Sequence, residues 1–268
     1  DTAAATAAFE RAATFAPDSA DRFHARLRLA SAATLTVGGE RGRAVLADAV
    51  AELGAKSVGQ RARHDLVLTA SFVFDEQFER AAEVSRRARE ALPPSFDDFA
   101  SRLAMLETLS AIESEELDQA RAAARHIDVA GVRRKVAALY RAILAHGEGR
   151  AADVADELSE LHGFLFQHGD AIHGYLAGHH GASALAEVGR LGEAQALAER
   201  TAQLSEAAAL HAPAARAIAT QALLCAEGMQ TLRAHELAER ALLSPHAGPR
   251  SRARAHSAHS RAYVIGGE

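Results

Sequence analysis

The chain has 268 residues, enough for one extended repeat domain or two small globular ones. Hydrophobic residues make up 49% and aromatics only 5%, so much of the apolar content is alanine. Alanine fills a core only where helices approach closely, which disfavours sandwiches and barrels built from β-branched and aromatic strands. A net charge of −5, from 30 basic and 35 acidic residues, leaves no global basic excess for nucleic-acid binding by the whole chain.

Other absences narrow the class. Cys225 is the only cysteine, so no internal disulfide forms and nothing points to an oxidising compartment. No apolar run reaches the eighteen or so residues of a membrane span. The start, Asp1-Thr2-Ala3-Ala4-Ala5, lacks the basic region of a signal peptide, so a cytoplasmic protein is expected. The chain has no Asn, and Lys56 and Lys135 are its only lysines, a bias that suggests a GC-rich, bacterial coding sequence.

In chain order, residues 3–15 read as a helix with Phe9 on its apolar side and Pro17-Asp18 as its stop. A hairpin follows over 19–37 and 42–53, broken at Gly38-Gly39, with Asp18 or Ser19 as N-cap and Gly54 as terminator. Residues 58–73 and 78–92 form the next pair; Ser57 and Gln60 have capping-box spacing, and Pro93-Pro94 ends the second helix. Helices over 96–112 and 116–127 follow, with Ser95 and Asp98 at the same capping spacing. Then come 132–146 and 150–167 across Gly147-Glu148-Gly149, and 171–188 and 193–208 across Gly189-Arg190-Leu191-Gly192. Pro213 is placed as the first residue of a helix over 214–226, which pairs with 230–243. Pro249 opens a last helix over 250–264. The chain thus begins on a second-type helix and ends on a first-type one, so it reads as a single helical-repeat domain over 1–268, cut within a repeat at both ends from a longer protein.

The repeat shows in one position, a small residue early in each second helix: Ala5, Ala44, Ala81, Ala120, Ala155, Ala194 and Ala234. The intervals are 39, 37, 39, 35, 39 and 40 residues. Twelve residues before the last six sit Ala32, Thr69, Thr108, Ile143, Ala182 and Ala222, five of them small, as two closely approaching helices require. The second helix continues as Ala81-x3-Ser85-x2-Ala88-x4-Pro93, with the same intervals at Ala5, Phe9, Ala12 and Pro17.

This pattern resembles the tetratricopeptide repeat, and Gly189-Arg190-Leu191-Gly192-Glu193-Ala194 is similar to that family's turn into a second helix. The period is longer than the family's usual 34 residues, and the large aromatic early in its first helix is missing. Ala7-Ala8-Phe9-Glu10-Arg11-Ala12-Ala13-Thr14-Phe15-Ala16-Pro17-Asp18 resembles the start of the repeat region in large ATP-binding LuxR-type regulators of the maltose-regulator kind. The resemblance implies an all-α, tetratricopeptide-like α-solenoid, a right-handed superhelix of antiparallel helix pairs. No Gly-x4-Gly-Lys-Ser/Thr phosphate loop and no helix-turn-helix reader stands in the sequence, so the resemblance puts both outside this segment and no cofactor is expected within it.

No catalytic constellation emerges. His162, His168, His173, His179 and His180 cluster in sequence, but none of these pairs has the i,i+4 spacing of ligands on one helix face, and no metal site is expected. His256 and His259 are three apart, and His235-Glu236-Leu237-Ala238-Glu239 starts like a zinc-protease motif and fails at its last position. Cys225 reads as a small buried hydrophobe.

Eighteen residues before each repeat alanine stand Arg26, Arg63, Arg102, Ala137, Leu176 and Arg216. The resemblance implies that first helices line a concave groove, where stacked arginines can hold carboxylate or phosphate in bidentate geometry. Tyr140 and His179 lie three residues on from this position in their own repeats and join Arg26, Arg63, Arg102 and Arg216 as candidate contacts. The competing reading pairs each arginine with a neighbouring carboxylate or leaves it in solvent. The Lys and Asn of a carboxylate clamp for acidic C-terminal tails are absent. The expectation is a non-catalytic sensor or scaffold segment, taking a small-molecule effector or a protein or peptide partner in the groove, without direct nucleic-acid or membrane contact. Self-association through the incomplete end repeats stays open. The alternatives are a pure protein-interaction scaffold with no effector, and an enzyme on the helical frame around His173 and His179.

Overall fold

The structure, a computed structural model, describes residues 2–51, 57–127 and 134–266, with residues 2–5 and 51 as backbone alone. The fold is all-α, with no strand among the described residues. It divides into two compact units, Asp1–Gly131 and Val132–Glu268. The expectation of one domain over 1–268 concerns their join at 128–133, which lies outside the described residues.

Unit 1 holds α1 (Thr2–Phe15), α2 (Ser19–Thr36), α3 (Gly39–Ala51), α4 (Val58–Phe74), α5 (Phe78–Glu90), α6 (Asp97–Glu113) and α7 (Leu117–Ala124). Each helix packs on the next, and α2, α4 and α6 also pack side by side. Unit 2 holds α8 (Arg134–Gly147), α9 (Ala151–Gln167), α10 (Ala171–Glu187), α11 (Leu191–Ala207), α12 (His211–Glu227), α13 (Thr231–Leu243) and α14 (Pro249–Gly266). Consecutive helices again pack together, and α8, α10, α12 and α14 form a second row of neighbours.

The small-residue seam is where the helices meet. Ala81, Ala120, Ala194 and Ala234 are all 0% exposed, as are Thr69, Thr108, Ala182 and Ala222 twelve residues before them. Ala155 and Ile143 complete the same pairing and are buried too. Ala44 breaks the rule and is exposed. The residue in its place is Gly42, where an added Cβ would lie 1.9 Å from Thr34 Oγ1 and 3.1 Å from the Ala30 carbonyl. The seam residue on α2 is therefore the buried Ala30, two residues before Ala32. With Gly42 in the series, the intervals to Ala81 and Ala120 are both 39 residues. The side chain of Ala5 and the proposed terminator Gly54 lie outside the described residues.

Helix ends follow local chemistry, with three corrections. Helix α3 begins at Gly39, not residue 42, because the Gly39 N–H donates to Asp75 Oδ1 at 2.8 Å, a cap supplied from the end of α4. Helix α6 starts from a short 3-10 turn, Pro94–Phe96, with Phe96 as an N-cap that makes no side-chain hydrogen bond, so Ser95 does not cap it. Pro213 is the third residue of α12, not the first; its missing N–H falls among the first-turn amides that lack intrahelical acceptors anyway. Asp18 caps α2 through Oδ1 at 2.8 Å, and Ser57 Oγ accepts from the Gln60 N–H at 3.2 Å, both as expected.

Seven hairpin turns close the same way. One residue takes a left-handed backbone, at Glu76, Glu115, Gly149, Gly169, Gly189, Ala209 and Met229, and the next N–H reaches five residues back, as from Gln230 to Cys225 O at 2.8 Å. Met229 has φ 59° with its side chain exposed, so nothing but the turn holds it in that region. A Met229→Gly variant is expected to gain about 0.5–1 kcal/mol, because glycine carries no Cβ penalty there. A rise in the thermal melting temperature checks it; a fall would show that the Met229 side chain supplies stabilising contacts.

A further regularity joins alternate helices of unit 2. Arg190 Nη1 pairs with Asp156 at 2.7 Å, Arg233 with Glu199 at 2.9 Å, Arg261 with Glu227 at 2.7 Å, and Arg240 with Glu206. All four span 34 residues. They are exposed, so each contributes little to stability, but all four repeat the same separation along the chain.

Candidate functional site

The six residues singled out from sequence fall in two places. Arg26, Arg63 and Arg102 lie in unit 1, and Tyr140, His179 and Arg216 in unit 2.

In unit 1 the side-by-side row of α2, α4 and α6 lines a cavity of about 780 Å³. Its lining includes His24, Arg28, Arg63, Asp98, Phe99 and Arg102, together with the apolar Leu27 and Leu66. An adjoining cavity of about 670 Å³ shares His24, Arg63 and Phe99 and extends over Val58 and Phe96. Arg63 Nη1 donates to His24 Nε2 at 3.4 Å, which requires that ring nitrogen to be unprotonated. The Arg63 guanidinium stands 6.0 Å from the Phe99 ring centre, at the outer limit of a cation–π contact. Phe96 and Phe99 are neighbours with centroids 6.2 Å apart. Arg102 Nε pairs with Asp98 Oδ2 at 3.2 Å, one helical turn back on the same helix.

Arg26 is a correction. It points to α3, where Nη1 lies 3.8 Å from Asp48 Oδ2, and it is not among the residues lining either cavity. The reason is the register found at Gly42: eighteen residues before it is His24, not Arg26. The equivalent column on α2, α4 and α6 is therefore His24, Arg63 and Arg102, and these three share one cavity. The competing reading holds for Arg26 and Arg102, which both pair with carboxylates.

In unit 2 the equivalent positions are interior. Tyr140 is 2% exposed on α8, with its ring edge-on to His173 at 5.9 Å, and burial, then the charge of Asp170, pushes its phenol up. It offers almost no surface to a ligand and serves as a packing residue. His179 is buried on α10, stacked on Tyr175 with centroids 5.8 Å apart. Its Nε2 accepts from Arg254 Nη1 at 3.2 Å, and its Nδ1 lies 3.4 Å from Thr220 Oγ1. Burial first, then the charges of Arg216 and Arg254, hold its pKa well below the ordinary imidazole value. Arg216, buried on α12, thus shares one polar cluster with His179. His173 pairs with Asp170 at 2.8 Å, which pulls the Asp170 carboxyl down against the effect of burial.

Sequence reasoning missed His24, Arg28, Phe96 and Phe99. Counting the repeat from Gly42 would have found His24; the aromatics carried no periodic signal. Among the described residues, no group of three or more His, Cys, Asp or Glu is placed to hold a metal ion, and no helix is long and apolar enough to cross a membrane. Cys225 is buried, and burial raises its thiol pKa, away from a reactive thiolate. Compared with known proteins, the sequence matches no family model and no curated protein.

Proposed function

We propose that the chain is a non-catalytic binding segment, made of tetratricopeptide-like hairpins wound in a right-handed sense within each unit. The packing of each helix on the next, with first helices also packed side by side in a row, supports a stack of hairpins; the right hand of the winding is what the resemblance implies. Its role is that of the effector- or partner-binding repeat region of a bacterial, cytoplasmic LuxR-type transcriptional regulator. The binding face is the groove of unit 1. The observation that carries this reading is the convergence of His24, Arg63 and Arg102, one from each of three successive first helices, on a single cavity. A cavity of this size falls within the range of small-molecule sites, and its lining mixes apolar wall with a few polar groups.

A ligand shifts a regulator only by binding one state better than another, and by linkage it stabilises the state that it binds. A thermal-shift screen of metabolites is therefore expected to show saturable stabilisation by one compound class, lost in Arg63→Gln. Arg63 is exposed, so that variant keeps its fold. If no compound raises the melting temperature, effector sensing fails and a pure protein-interaction scaffold remains.

A further inference from the structure

The two cavities of unit 1 share His24, Arg63 and Phe99. Only the first also reaches Arg28 and the Arg102–Asp98 pair, and only the second reaches Val58 and Phe96. Arg102 is engaged by Asp98 at 3.2 Å, whereas Arg63 stands beside the Phe99 ring, which makes Arg63 the anion-binding group next to the aromatic wall, with Arg28 on the same cavity. Arg63 already holds its guanidinium between His24 Nε2 and the Phe99 ring, which limits its rotamers and leaves its remaining N–H groups for a planar carboxylate.

We infer that this groove takes a small organic acid bearing one carboxylate and one aromatic or branched apolar group. The carboxylate sits on Arg63 beside His24, and the apolar group lies against Phe96 and Phe99. This rests on the groove being the binding face. An inorganic anion has nothing to place on the aromatic wall, and an uncharged aromatic leaves Arg63 to be desolvated without a partner.

The test uses 3-phenylpropionate as probe, with 3-phenylpropanol and inorganic phosphate as controls, read by thermal shift and calorimetric titration. Wild type is compared with Arg63→Gln and Phe99→Leu, the second chosen to keep apolar volume at a half-buried position, and circular dichroism checks the fold of each. Phenylpropionate is expected to bind wild type at least about tenfold more tightly than either control, and each variant to weaken it by about tenfold or more. Equal stabilisation by phosphate, with no effect of Phe99→Leu, would overturn the inference in favour of a plain anion site. Phenylpropionate binding untouched by Arg63→Gln would overturn it by placing the probe elsewhere. If other compounds stabilise the protein through Arg63 and phenylpropionate does not, the ligand class is wrong while the binding face stands. If nothing in the wider screen stabilises the protein, the binding face falls too.

Discussion

An Arg89→Met variant is expected to lose about 3–5 kcal/mol of stability in unit 1, the range found when one partner of a buried ion pair is removed. Glu107, on α6, is only 2% exposed and is met by Arg89 Nε at 3.0 Å from the last turn of α5. Arg89 is itself 14% exposed, so water does little to screen the pair. Without the guanidinium, the Glu107 carboxylate stays in the α5–α6 seam beside Thr108, buried and without its partner. The aliphatic stem of methionine replaces most of the packing of the arginine stem, so the loss measures charge rather than volume. The double variant Arg89→Met/Glu107→Leu is expected to recover most of the loss, since an apolar pair costs no desolvation. Urea denaturation midpoints across the four members of this cycle check both statements. A single variant within about 1 kcal/mol of wild type would show that water reaches Glu107, as at an ordinary surface pair.

What could be read from the sequence depended on how local the physics was. Helix order was legible because apolar and small residues recur with helical spacing and several of the turns carry Gly or Pro. Asp18 and Ser57 were legible as caps because their acceptors lie three residues from the amide that they receive. The start of α3 was not, since Gly39 is capped by Asp75, 36 residues away. Ala44 was mistaken for the seam residue because the count accepted alanines and passed over Gly42, whose lack of a Cβ makes it the tighter contact. That slip of two residues moved Arg26 into the groove and hid His24. The Arg89–Glu107 pair and the four ion pairs at 34-residue separation join helices from different hairpins, and no local pattern marks a charge as paired. In unit 2 the period placed Tyr140 and His179 at one repeat position and Arg216 three residues earlier in its own repeat, but position in the repeat does not tell a groove from an interior; burial does.

Unit 2 is expected to lose stability in mild acid, before its carboxylates titrate. His162 on α9 is 2% exposed, and α10 passes so close that a Cβ on Gly178 would lie 2.6 Å from the His162 ring. Its Nε2 has no hydrogen-bond partner. Burial, and secondarily the charge of Arg200, pushes its pKa down to about 4. His179 is depressed as well, by burial and by Arg216, Arg254, His180 and His146. In the unfolded chain both rings return to the ordinary value near 6.5. Unfolding below that pH therefore takes up protons that the folded state refuses. The stabilisation is complete above about pH 6.5 and is lost as pH falls toward 4; at about 1.4 kcal/mol per unit, His162 alone accounts for on the order of 3 kcal/mol by the end of that window. Asp170 acts later, because its carboxyl is already held below the ordinary value and its contribution fades only at lower pH. Urea unfolding of unit 2 at pH 7, 5.5 and 4.5 gives the measurement. His162→Leu, which needs no proton and leaves no unsatisfied nitrogen, is expected to flatten the pH dependence by about one proton's worth while keeping most of the stability at pH 7. The assignment to His162 fails if the variant shows the wild-type slope, and the acid argument as a whole fails if wild type is equally stable at pH 7 and 4.5.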